Sequence, residues 1–226
     1  MRTLIQPAPS VTEAAHGRAR QLLERYGVLT REMALAEGVT SGFAGVYPVL
    51  RAMEEQGQIR RGYFVAGLGA AQFATHAAVD RLRTFRDPTV ASDSASNVVV
   101  LAATDPAQPY GACVAWPATD GRPQRAAGAR VVLVDGRCVA WLDRSGRSLL
   151  TFDNGPALEV GADRGNEGDG VSAVWADAIA GLVRTGRVKR LEITRIDGEP
   201  AAASPLAAAL RTAGFADGYR GLILRN

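Results

Sequence analysis

The stretch TREMALAEGVTSGFAGVYPVLRAMEEQGQIRRGYFVAGLGAAQFA, Thr30 to Ala74, decides how the first part of the chain folds. Its opening threonine can cap a short helix over Arg31–Glu37, which Gly38 stops. A short turn follows, then a helical segment from about Phe43 to Gln56, in which Pro48 either kinks the helix or marks its true first turn. Gly57 breaks the chain. Gln58–Arg61 and Tyr63–Ala66 read as two short strands, and a Gly67-Leu68-Gly69 turn leads to Gln72-Phe73-Ala74. Upstream, Ala15, Ala19, Leu22, Leu23 and Tyr26 recur at helical spacing, so Val11–Tyr26 is an amphipathic helix with Gly27 as its cap. Downstream, Ala77–Arg86 makes a closing helix. Helix, helix, tight turn, helix and hairpin is the order of a winged helix-turn-helix. The same order also fits a small helical lobe with a hairpin and no nucleic-acid role.

Beyond Arg86 the pattern changes. Asp87–Asn97 (DPTVASDSASN) is turn-rich and weakly apolar, and reads as a linker. Short apolar or alternating runs follow at Val98–Ala102, Ala129–Val134, Arg137–Leu142 and Ser148–Phe152, with Asp135-Gly136 as a hairpin turn. Gly161–Gly170 (GADRGNEGDG) reads as a flexible loop. Val171–Thr185 is a helix, Val188–Arg195 a strand, Pro205–Thr212 a helix capped by Ser204, and Tyr219–Arg225 a last strand. The expected fold is therefore α+β. A winged helix-turn-helix spans residues 1–86, a linker 87–96, and a β-rich mixed domain with two helices 97–226.

The composition of the 226 residues, 47% apolar and 22% charged, is ordinary for globular chains. No apolar run reaches the length of a membrane span and the N-terminus has no signal-peptide core, so a cytoplasmic protein without a membrane partner is expected. Cys113 and Cys138 are too few for a disulfide framework or metal site and read as buried thiols. The formal net charge is +3, from 25 arginines and a single lysine against 23 acids. Residues 1–86 hold 11 arginines against 7 acids, while the remainder holds 15 basic against 16 acidic residues. The basic surplus thus lies in the first third, where a nucleic-acid face is expected.

No phosphate-loop motif, nucleophile elbow, H-E-x-x-H or C-x-x-C occurs, so neither ATP hydrolysis nor a cofactor is expected of this chain. His16 and His76 sit on helices without ligand-type neighbours. Asp163, Glu167 and Asp169 do not have the spacing of a calcium loop. The arginines are more informative. Arg60 and Arg61 begin the hairpin beside Tyr63 and Phe64, and Arg81 and Arg83 lie on the helix after it. Such a wing can track a phosphate backbone and stack a base, with Arg60, Arg61, Tyr63, Arg81 and Arg83 as the DNA-binding candidates. On the plain alternative, Tyr63 and Phe64 alternate outward and inward and the arginines are merely solvated.

Long strings of the chain resemble a known family. GFAGVYPVLRAMEEQGQIRRGYFVAGLGAAQFA (Gly42–Ala74), AVDRLR (Ala78–Arg83), LAATDPAQPYGACVAWP (Leu101–Pro117), RVVLVDGRCVAWLDRSGRSLLTF (Arg130–Phe152) and RLEITRIDGEPAAASPLAAALRTAGF (Arg190–Phe215) are similar, in this order, to the C-terminal region of bacterial Lhr (large helicase-related) DNA helicases. The resemblance implies DNA repair, with translocation driven by a helicase core that this chain lacks. It implies a last winged helix plus a terminal β-rich domain, with DNA and that core as partners. The Lhr C-terminal region is in turn similar to AlkZ-type DNA glycosylases, whose Gln-x-Gln motif serves catalysis. Gln56-Gly57-Gln58 matches its letters at a helix end, and the role is not carried over.

The resemblance and the residues together point to a DNA-binding accessory module of an Lhr-type repair helicase, meeting single-stranded or partially single-stranded DNA. Two rivals stand beside it: a DNA glycosylase excising uracil or a damaged base, and an oligomerisation module. An exposed basic wing favours binding, a concave pocket with a buried carboxylate favours the glycosylase, and a flat apolar patch favours assembly. The catalytic candidate for the glycosylase is Asp217, in a turn between Phe215 and Tyr219 that could flank an extruded base. Asp217-Gly218 fits an ordinary hairpin turn equally.

Overall fold

A computed structural model describes residues 9–69, 71–85, 97–152 and 167–226, with the side chains of the last span from residue 174 onward. The fold is α+β. Two compact units divide the chain: Met1–Ser94 with Ala112–Val114, and Ala95–Gly111 with Ala115–Asn226. The linker expected over 87–96 lies outside the described residues, apart from Asn97 at its end.

The first unit runs α1 (Val11–Tyr26), β1 (Val28–Leu29), α2 (Arg31–Ala36), α3 (Gly42–Glu55), β2 (Ile59–Gly62), β3 (Gln72–Thr75) and α4 (His76–Thr84). This is the element order of a winged helix, with strands ordered β1-β3-β2. Local chemistry sets the helix ends. Ser10 and Glu13 form a reciprocal capping box on α1, and Gly27 closes it at φ 70°. Thr30 caps α2 by accepting from the Met33 amide at 3.3 Å. Pro48 lies inside α3, past its first turn, so the Ala44 carbonyl loses its helical donor. Leu22, Leu29, Leu50, Ile59 and Phe73 share one buried core, to which Cys113 also belongs.

The strand paired with β2 is Gln72–Thr75, and the expected strand Tyr63–Ala66 is instead part of the loop between them. The reason is one side chain. Gln72, fully buried, accepts from the amides of Phe64 (2.8 Å) and Val65 (2.9 Å) and donates to the carbonyls of Val65 (2.9 Å) and Gly69 (3.1 Å). A single carboxamide thus meets backbone groups that a ladder would otherwise satisfy.

In the second unit, β4 (Val98–Ala102), β5 (Arg130–Val134), β6 (Arg137–Leu142) and β7 (Ser148–Thr151) form an antiparallel run. Asp135 and Gly136, at φ 49° and 81°, make the tight turn between β5 and β6. α5 (Glu167–Arg184), β8 (Arg190–Ile193), β9 (Arg195–Ile196), β10 (Glu199–Pro200), α6 (Ala207–Thr212), β11 (Ala216–Asp217) and β12 (Leu222–Arg225) follow. The sheet orders are β10-β9-β7-β6-β5-β4 and β11-β12-β8, and β9 joins β7 in parallel.

The larger sheet is buried on both faces. Val132, Leu142 and Leu149 pack under Trp175 and Ile179 of α5, while Val131, Leu133 and Trp141 pack with Tyr110, Trp116 and Phe152. A bulge switches the faces: Leu133 pairs with Cys138 but Val132 with Ala140, leaving Val139 extra, so Val139 and Ala140 both face the helices. Cys138 faces the other way, and burial pushes its thiol up to about 12.

Three expectations shift here. The glycine-rich stretch is helical from Glu167 onward, because the buried face of α5 gives a packed helix to propagate from. The helix expected over Pro205–Thr212 starts at Ala207 with no side-chain cap. The last strand starts at Leu222, because Gly218 bonds Gly221 across the hairpin (2.7 Å) and leaves Tyr219 and Arg220 at its tip.

Candidate nucleic-acid interface

β2 is one of the two edge strands of the small sheet, and it carries exposed charge. Ile59 points into the core while Arg60 and Arg61 are exposed. Tyr63 follows at 81% exposure, and Phe64 turns inward beside Val28, Ala74 and Val79. Gly62 makes room for that turn: a Cβ there would lie 3.0 Å from the Phe64 ring. The aromatic pair therefore alternates, Tyr63 out and Phe64 in.

Arg60 is oriented as well as exposed. Its Nε donates to Nδ1 of His76 at 3.2 Å, and Nε2 of the same ring lies 2.8 Å from the Gly57 carbonyl. Donation from Nε2 to that carbonyl leaves Nδ1 free to accept, so both bonds fit one neutral tautomer. His76 is thus a positioning residue for Arg60, a role its helix-surface location in the sequence does not announce.

Arg81 and Arg83 are not gathered at this edge. They lie five and seven residues along α4 from His76, about 8–10 Å of helix rise. Arg83 donates to Asp80 (3.1 Å), and Arg81 covers the exposed Phe85 ring (5.7 Å to the centroid). The outward face of α3, where a winged helix reads bases, holds Ala44, Pro48, Arg51, Ala52 and Glu55, and Arg51 is paired with Glu55 (3.1 Å). That face offers few groups for base-edge hydrogen bonds. Gln56 and Gln58 are exposed and bond each other (2.7 Å).

In the second unit, Asp217 is exposed and lies in β11, one pair before the turn. Arg211 grips it through Nη2 (2.8 Å) and Nε (3.2 Å), and these bonds hold its carboxyl below the usual range. Phe215 is buried in the core while Tyr219 is fully exposed, so the two aromatics do not face a common cleft.

A cleft of about 670 Å³ lies elsewhere in this unit, lined among others by Asp120, Trp141, Asp143, Thr151 and Asp197. Asp143 accepts from the Ser145 hydroxyl (2.6 Å) and the amides of Arg147 (2.7 Å) and Ser148 (2.9 Å). Burial alone would raise its pKa, but these bonds outweigh burial and lower it. Asp197 receives the amide and hydroxyl of Thr151, both at 2.7 Å. Both carboxylates have hydrogen bonds suited to the anion.

Residues 8–94 match the family model described as the winged-helix domain of large helicase-related protein. The first unit is an Lhr winged helix. Over 193 residues, 84% of its length, the chain is 48% identical to "Lhr helicase/ probable uracil glycosylase" of Mycolicibacterium smegmatis, and the match covers 12% of that protein. Over 223 residues, 97% of the chain, it is 32% identical to "Lhr helicase/uracil glycosylase" of Escherichia coli, covering 14% of that protein. The chain thus spans a small part of each Lhr relative and is consistent with the Lhr C-terminal region. Among the described residues no helix is long and apolar enough to cross a membrane.

Sequence reading placed the first strand of the wing but put its second at Tyr63–Ala66, and it missed His76, Gln72, Asp143 and Asp197. The Asp-x-Ser-Gly string at Asp143 is a legible turn signal. Gln72 and His76 carry no local signal, since their partners come from other segments.

Proposed function

We propose that this chain binds DNA through the wing of its first unit, as a C-terminal accessory module of an Lhr-type repair helicase acting in the cytoplasm. Arg60, Arg61 and Tyr63 form the contact, and Arg81 and Arg83 extend it along α4. The observation carrying this reading is the exposed β2 edge, where Arg60 is held by His76 and Tyr63 stands free of the core. The sparse outer face of α3 fits backbone contact with single-stranded or partially single-stranded DNA better than base readout. The helicase core of the parent protein is its proposed partner.

The test is DNA affinity measured against salt. Each phosphate contact should contribute about 0.7–0.9 log units of affinity per log unit of salt. Arg60→Gln with Arg61→Gln should weaken binding to all sequences alike and flatten that slope. Salt-independent binding, or a double variant that binds like the parent, would remove the wing from the interface.

The cleft at Trp141 supports a second reading, excision of uracil or a damaged base; the names of the two relatives include "probable uracil glycosylase" and "uracil glycosylase". In such a reaction water adds to the sugar C1′ as the C1′–N bond breaks and the base leaves with a proton. The carboxylates of Asp143 and Asp197 would stabilise the developing positive charge, and Asp217 remains a separate candidate. Uracil-containing single-stranded DNA distinguishes these groups. Loss of excision with binding retained in Asp143→Asn or Asp217→Asn would assign the chemistry. Equal excision by parent and both variants would place it elsewhere, and no excision by the parent would leave a binding module.

A further inference from the structure

The second unit is almost neutral, yet part of its surface is not. A cavity of about 330 Å³ is lined by Arg147, Thr194, Arg195, Pro200 and Arg220. All three arginines are exposed. Among the described residues none of the three is in an ion pair, and the only hydrogen bond from their guanidinium groups is Arg195 Nη1 to the Gly198 carbonyl (2.9 Å). Nearby carboxylates are engaged elsewhere: Asp217 by Arg211 (2.8 Å) and Glu192 by Arg190 (2.7 Å). Glu199 is opposite Ile196 on β9 and does not line the cavity.

Backbone geometry builds this cluster. Arg147 precedes β7 and Arg195 opens β9, and the Arg147 carbonyl accepts from the amides of Thr194 (2.8 Å) and Arg195 (3.1 Å). Arg220 arrives from another direction, at the tip of the β11–β12 hairpin. Gly221 lets that hairpin press against the backbone of the β8–β9 junction, since a Cβ there would lie 2.1 Å from the Ile193 carbonyl oxygen and 2.8 Å from Thr194 Cα. The residue before Arg220 is Tyr219, whose side chain is wholly in water. Guanidinium forks unsatisfied by carboxylate are suited to phosphate oxygens, and a protruding aromatic ring on the residue next to one of them in the chain is suited to an unstacked base.

We propose that this hairpin tip is a second DNA contact, in which Arg147, Arg195 and Arg220 hold a backbone phosphate of a single strand and Tyr219 stacks the adjoining base. The site goes beyond the wing, shares no residue with it, and stands or falls separately.

The experiment titrates fluorescein-labelled oligothymidylate into the full chain over a salt series, for the parent, Arg147→Gln/Arg195→Gln/Arg220→Gln, Tyr219→Ala, Tyr219→Phe and the wing variant Arg60→Gln/Arg61→Gln. All substituted side chains are exposed, and thermal unfolding checks that each variant is folded. The triple variant should bind about tenfold more weakly or worse, and its salt slope should fall by at least about 0.7, one single-strand phosphate. The same loss should occur in the wing-variant background, which separates the two sites. Tyr219→Ala should lose about fivefold or more, and Tyr219→Phe should retain parental affinity because stacking needs only the ring. Inorganic phosphate should displace the oligonucleotide only weakly. Parental affinity and slope in the triple variant would overturn the proposal. So would equally effective displacement by inorganic phosphate, which would assign the cluster to a free anion.

Discussion

The two units each expose a tyrosine and arginines on a hairpin, but they hold those hairpins in opposite ways. In the first unit a long loop between β2 and β3 carries Tyr63, and the carboxamide of Gln72 threads through the loop to satisfy its backbone. In the second unit Tyr219 and Arg220 form a minimal tip on β11–β12, fixed by a glycine with no room for a side chain. One hairpin depends on a side-chain polar network and the other on backbone contact. The difference predicts which perturbations each will feel.

The largest effect should come from Gly221→Ala. The added methyl meets a carbonyl oxygen and a Cα rather than a flexible side chain, so relief requires moving β12 or the β8–β9 junction. A loss of about 3 kcal/mol is expected by urea unfolding. Gly67→Ala, in the wing loop, is the matched control. Its φ of +76° also disfavours alanine, but nothing lies within 4 Å of the added Cβ, so about 1 kcal/mol is expected from the backbone alone. Equal losses would show that close approach does not distinguish the two hairpins.

Gln72→Leu should rank next. It keeps an apolar volume in the core but strands the backbone groups of Phe64, Val65 and Gly69. A cost of about 2 kcal/mol is expected, with faster proteolysis between β2 and β3. Unchanged proteolysis would mean that the loop does not need its carboxamide anchor.

The smallest effect concerns pH. Glu37 accepts from the Tyr26 hydroxyl and from Arg25 (2.8 Å) and Arg18 (3.4 Å), and its carboxyl is only 16% exposed. The Tyr26 bond, with help from the two arginines, holds its pKa below the ordinary 4.5 despite burial. Its contribution is therefore complete above the unfolded-state value and is lost as pH falls through the lower folded-state value. Glu37→Gln should cost the first unit about 1 kcal/mol at neutral pH and flatten its acid destabilisation. Asp217 is shifted in the same direction by Arg211, but the pair lies in open solvent. Asp217→Asn should leave the unfolding midpoint of the second unit unchanged at every pH. An acid-sensitive midpoint in Glu37→Gln matching the parent would remove Glu37 from this role.

Much of the winged helix outside its hairpin was legible because its signals are local. Thr30, Gly27 and the spacing of Leu22, Leu23 and Tyr26 act within a few residues of themselves, so the boundaries of α1 and α2 follow from caps and periodicity. Arg60 and Arg61 beside Tyr63 could be named for the same reason. The Tyr63–Ala66 strand could not be rejected, because the side chain that replaces its ladder is Gln72, several residues on. The second unit was harder. Counting charge along the chain put the basic surplus entirely in the first third, and the count is right. It conceals Arg147, Arg195 and Arg220 because acids close to them in sequence bond elsewhere in space: Asp143 to Ser145 and backbone amides, Asp197 to Thr151, Glu192 to Arg190 and Asp217 to Arg211.

The amino-acid sequence by itself determined the winged-helix element order, most strand positions and the turn at Asp135-Gly136, since each follows from side-chain period, capping chemistry or positive φ over a few bonds. Only the tertiary structure decided which way those elements present their chemistry. The bulge at Val139 that turns Cys138 and Trp141 to one face depends on non-local contact. So do the ring of His76 that orients Arg60 and the glycine contact that brings Arg220 to Arg195. Each joins groups from different segments, and their separation is set by packing rather than by the number of residues between them.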